Sequence, residues 1–114
     1  MKTFFDEIPR KFKVGLKNQI TISDFGKIHL DEDEMISFKN NNGKEYDVVA
    51  KKWGFYATPS VNEKLKKQGF KTALVKNENS KYYIMIVDTT KLVDFNNYLE
   101  EEKNYIVKWL DEYE

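Results

Sequence analysis

The sequence predicts an α+β fold: an N-terminal antiparallel β-meander over residues 1–44, then a β-α-β-β-α-β unit over residues 45–114, the two forming a single domain. Three observations predict it. Apolar and polar residues alternate in short runs between residues 11 and 39, the period of half-buried strands. Two segments, Ser60-Val61-Asn62-Glu63 and Asp88-Thr89-Thr90, carry helix-start chemistry ahead of apolar residues at helical spacing. The remaining apolar runs, 71–75, 82–87 and 105–109, are too short and too rich in β-branched and aromatic residues for helices.

Each element has its own cause. Ile20 and Ile22 alternate with Thr21 and Ser23, Asp24-Phe25-Gly26-Lys27 supplies a turn, and Ile28 and Leu30 then alternate with His29 and Asp31. Residues 31–34, all acidic, are too charged for a strand interior, and the alternation resumes at Ile36 and Phe38. Asn41-Asn42-Gly43-Lys44 holds Asn-Gly, the pair suited to a tight hairpin turn because both residues tolerate positive φ. One strand is expected from about Tyr46 to Phe55.

A capping box is expected at Ser60 and Glu63: the serine hydroxyl accepts from the Glu63 N–H, and the glutamate reaches back to the Ser60 N–H. That helix, with Val61 and Leu65 facing inward, should end near Gln68, because Gly69 can take the left-handed conformation after a helix end. A strand over 71–75, a loop over 77–80 and a return strand over 82–87 follow. The return strand is apolar nearly throughout, which predicts a central strand, or one covered at a dimer contact. Leu92, Phe95 and Leu99 define the second helix, and 105–109 a closing strand. From Tyr46 onward this order is the ferredoxin-like arrangement, whose first and third strands lie at the centre of one sheet.

Composition bounds the function. The chain has 114 residues, 40% hydrophobic and 33% charged, enough apolar material for a core beneath a strongly solvated surface. Acidic residues follow Phe5 before a signal-peptide core could form, no apolar run reaches membrane-spanning length, and cysteine is absent, so a cytoplasmic protein is expected. Net charge is +0, but residues 51–81 carry eight lysines against two glutamates, and residues 82–114 carry three lysines against eight acids. The middle of the chain therefore suits an anion and its end a basic partner, or the two attract each other.

No residue set of a hydrolytic or metal centre stands out, and no cofactor or metal is expected. His29 is the single histidine, and the acidic run at 31–34 lacks the glycine and distal glutamate of a calcium loop. The best candidate is the stretch from Trp53 to Glu63, where a strand should enter a helix. Ligand-binding candidates there are Lys52, Trp53, Tyr56, Thr58, Ser60, Asn62 and Lys64: aromatic faces, hydroxyls, an amide and lysines beside a helix N-terminus. Strand alternation places Trp53 and Phe55 on one face and Tyr56 on the other.

The expected function is thus a non-catalytic binding or accessory module that self-associates and engages a partner protein or small anionic metabolite at residues 51–64. One alternative is a small dimeric enzyme acting on an aromatic or anionic metabolite through His29, Tyr56, Asn62 or Tyr83. Nucleic-acid binding ranks third: Tyr82 and Tyr83 lie where some RNA-binding sheets carry stacking aromatics, but the glycine-aromatic pattern is missing and the acidic end opposes phosphate.

Overall fold

The computed structural model describes residues 1–112. The chain is α+β, with eight strands, all paired antiparallel, and two short α-helices among the described residues. It divides into two compact units, Met1–Gly15 with Gln19–Thr58, and Leu16–Asn18 with Pro59–Glu114. No helix among the described residues is long and apolar enough to cross a membrane.

The first unit is all strand. β1 (Lys2–Val14) pairs with β2 (Ile20–His29), and a separate sheet holds β3 (Met35–Lys39), β4 (Glu45–Lys51) and β5 (Gly54–Ala57) in that order. Phe12 lies opposite Ile22 and Val14 opposite Ile20, so the alternating isoleucines share one face of the ribbon. The turn expected at residues 24–27 is instead an irregularity inside β2. Asp24 Oδ1 accepts from the Gly26 N–H at 3.0 Å, the local bond of a turn, yet the strand continues to His29. Opposite it, Phe5 pairs with Gly26 and Arg10 with Asp24, so residues 6–9 on β1 face residue 25 alone. Gly26 is fixed by this bulge: its φ is +127°, and a Cβ there would come within 2.0 Å of the Phe4 carbonyl oxygen.

Two further expectations change. The Asn-Gly pair does close a hairpin, but through residues 40–44: Asn40 Oδ1 accepts from the N–H groups of Asn42 and Lys44, and Gly43 takes φ +76°. The single strand expected over 46–55 is two strands, because the chain reverses at residues 52–53 and Lys51 pairs with Gly54, whose φ is +143°. Trp53 and Phe55 supplied β-propensity, but Gly54 between them serves a hairpin.

In the second unit the capping box expected at Ser60 and Glu63 does not form. The first helix, α1 (Lys64–Lys67), starts after residues 61–63 turn; its N-cap is Glu63 without a side-chain cap bond, and Ser60 reaches it from ahead of that turn. The Ser60 hydroxyl accepts from the Lys64 N–H at 2.9 Å, and Glu63 lies 3.5 Å from Lys67 in an ion pair along the helix. Gly69, at φ +87°, ends the helix as expected and leads into β6 (Phe70–Lys76). The 77–81 hairpin connects β6 to β7 (Tyr82–Asp88). Asp88 then caps a 3-10 turn by accepting from the Thr90 N–H, and α2 (Leu92–Glu101) and β8 (Tyr105–Trp109) follow.

The sheet order is β7-β6-β8, so β6 is central. A ferredoxin-like sheet would instead place the third strand, 82–88, and the first, 46–55, at the centre. Here the latter pairs with β3, and β7 lies at an edge with Tyr82, Tyr83 and Ile84 exposed. The apolar run reported β-propensity rather than burial. Ala73 and Val75 of β6 are fully buried with Leu99 of α2, and Met85, Phe95, Ile106 and Trp109 pack around them. Small Ala73 lets α2 approach, as Phe95 and Leu99 at i and i+4 require.

One polar cluster fastens the start of β6. The buried Asp111 carboxylate accepts from the Thr72 N–H at 3.0 Å and from Lys71 Nζ at 2.8 Å, while the Lys71 ammonium also lies 4.7 Å from the centre of the Trp109 ring. Burial pushes the Asp111 pKa up, but the Lys71 ion pair and the backbone donors outweigh it and hold the carboxyl below its ordinary range.

Two outcomes follow. Gly26→Ala should strip hydrogen-exchange protection from the β1–β2 amides, destabilising them by more than ~1 kcal/mol, while β6 amides keep theirs. Because Asp111 has a depressed folded-state pKa, the unfolded chain binds the proton first on acidification. Its stabilisation is therefore present above the unfolded value of about 3.9 and is lost as pH falls through the folded one. In urea melts, Asp111→Asn should lower stability at neutral pH and flatten this acid limb.

Candidate functional site

The reversal at residues 52–53 changes the geometry of the candidate site. Trp53 stands in the turn, where strand alternation does not apply, and its ring stacks on that of Tyr56 with centroids 5.7 Å apart and planes 16° from parallel. The two aromatics expected on opposite faces are therefore neighbours. Both are open to solvent, Trp53 at 70% and Tyr56 at 45% exposure, and Phe55 is also 70% exposed.

The base of this hairpin is pinned by charge. Lys51 Nζ donates to Asp33, and the hydrogen bond and charge of that carboxylate raise the lysine's pKa. Asp33 itself takes φ +66° in the acidic turn, and its N–H donates to the Ala50 carbonyl at 2.8 Å. The run at 31–34 is thus a turn that supports β4, and no group of three or more metal-ligating side chains occurs among the described residues.

The seven candidates divide between the two units. Lys52, Trp53, Tyr56 and Thr58 belong to the first, and Ser60, Asn62 and Lys64 to the second. In the first, Lys52 shares the turn with Trp53, and the half-buried Thr58 donates its N–H to the Asp47 carbonyl at 3.0 Å, which ties the strand end back to β4. In the second, the Ser60 hydroxyl is engaged by the Lys64 N–H, while Asn62 and Lys64 are exposed. With four residues, α1 aligns few peptide dipoles, so the charge it can present to an anion is small.

Other groups weighed for chemistry lie elsewhere. His29 is exposed, its Nε2 3.5 Å from Asp31 Oδ1, and it lines a depression of about 350 Å³ with Phe4, Ile28 and Phe55. Tyr83 borders a cavity of the second unit with Tyr98 and Glu102. Sequence reading missed that cavity, because Leu16 and Glu102, which meet there, are 86 positions apart. It also missed Asp111, which reads as one more acid in an acidic stretch; only its place two residues beyond Trp109 at a strand end hinted at a role. Compared with known proteins, the chain matches no family model, no curated protein and no solved structure.

Proposed function

We propose that the protein is a non-catalytic binding module of the cytoplasm that docks a partner protein through the tip of the β4–β5 hairpin. The observation that carries this reading is the stacked, solvent-open Trp53–Tyr56 pair beside Lys52. Exposed tryptophan and tyrosine are the residue types that most often anchor protein interfaces, and stacking holds these two in place before binding, which lowers the ordering cost. Lys52 favours an acidic or carbonyl-rich partner surface. A protein suits this convex tip better than a small anionic metabolite, which needs a concave site.

Self-association is the module's second proposed property, supported by β7. This seven-residue edge strand, Tyr82–Asp88, has no charge between its ends and no proline, the features that usually protect an edge. Pairing between two β7 edges would satisfy their open backbone groups and cover Ile84, which is 57% exposed.

Partner capture from cell extract should fall by roughly thirty-fold, about 2 kcal/mol, with Trp53→Ala or Tyr56→Ala, while circular dichroism stays unchanged. Undiminished capture by both folded variants would refute the docking site. In light scattering after size exclusion, the protein should run as a dimer and Ile84→Lys as a monomer.

A further inference from the structure

The cavity of the second unit has the makings of a second, different site. It holds about 280 Å³, just under the usual range for drug-sized ligands, so its occupant is no larger than an amino-acid side chain or a short alkyl compound. Leu16 and Met85 give it apolar surface, and two aromatic rings, Tyr83 from β7 and Tyr98 from α2, stand on its walls with about half their surface open. Glu78 in the β6–β7 loop and Glu102 after α2 bring two carboxylates, and no lysine or arginine lines the cavity.

The two carboxylates differ. Glu102 is held in place, because its Oε2 accepts from the Leu16 N–H at 2.8 Å. It is also the C-cap residue of α2, a ten-residue helix whose dipole places partial negative charge at that end. Glu78 has no ion-pair partner among the described residues. Aromatic faces attract cations through their quadrupoles, and Met85 can pack against a methylene stem. An anion would meet repulsion from every charged group in the lining.

We propose that this cavity binds a small organic cation, an ammonium or guanidinium group on a short apolar stem, with the charged head toward Glu78 and Glu102 and the stem along Tyr83, Tyr98 and Met85. The same chemistry is offered by a free alkyl amine and by a lysine side chain of another protein.

The test is a chemical-shift titration of the full chain with cadaverine and, separately, a blocked Gly-Lys-Gly tripeptide, using pentane-1,5-diol and glutarate as controls. Saturable shifts centred on Leu16, Tyr83, Tyr98 and Glu102 are expected with at least one cationic probe and with neither control. The tighter of the two cations identifies the source as a free amine or a protein side chain. Glu78→Gln should weaken binding by about tenfold, and Glu102→Gln should do likewise, since glutamine can still accept the Leu16 N–H. The proposal is overturned by the absence of saturable shifts at these residues with both cations, by equal binding of the diol or glutarate, or by undiminished binding in Glu78→Gln. That substitution alone decides the matter if Glu102→Gln disturbs the fold, because Glu78 makes no side-chain bond on which the fold depends.

Discussion

The second unit depends on burying β6 from both sides at once. A strand in the middle of a sheet must find hydrogen-bond partners along both edges and apolar cover for its faces. β6 finds the first in β7 and β8, and the second on one face where Phe95 and Leu99 of α2 meet Ala73 and Val75, while Phe70 and Thr72, of the opposite parity, are buried as well. The rest of the unit follows from this requirement. β7 arrives by a hairpin whose Asn77 side chain accepts from the N–H groups of Asn79 and Lys81. β8 has to cross to the far edge, and α2 provides the crossing while covering one face on the way. Asp111 then anchors the entry to β6 through Lys71 and the Thr72 N–H, a buried charge tolerable because each of its oxygens has a donor.

The first unit rests on different physics. Among its described residues Ala50 is the buried apolar side chain, while Phe4, Phe5, Phe12, Val14, Ile20 and Ile22 remain open to solvent to varying degrees. Its order comes from ladder hydrogen bonds, from a bulge that only glycine fits, and from pairs such as Arg10–Asp24 at 3.0 Å. Exposed ion pairs of that kind contribute little each, because solvent and salt screen them.

Much of this was legible in the residues, and what was not has a physical reason. The α+β class, the meander, the Gly69 helix end, the Asp88 cap and the Leu92–Phe95–Leu99 stripe were all readable, because each depends on local chemistry within a few positions. Strand neighbours were not, because pairing is decided by which edges meet. Tyr-Tyr-Ile-Met-Ile-Val looked more buried than Lys-Thr-Ala-Leu-Val, yet the second became the centre, since small Thr72 and Ala73 leave room for what packs on them. At the candidate site, the aromatic residues were legible as a group and their arrangement was not. One glycine at φ +143° turned an expected straight strand into a hairpin and brought Trp53 onto Tyr56.

The two tryptophans fall in different units and different surroundings. Trp53 stands 70% exposed in the first, and Trp109 is partly covered in the second, with Phe95 at 6.0 Å between ring centres and the Lys71 ammonium over its face. The molecule therefore carries two built-in optical reporters. Emission from Trp53 is open to a dissolved quencher and senses events at the hairpin tip, while Trp109 responds to loosening around β6, so with one indole replaced at a time the two units can be watched separately in the same chain.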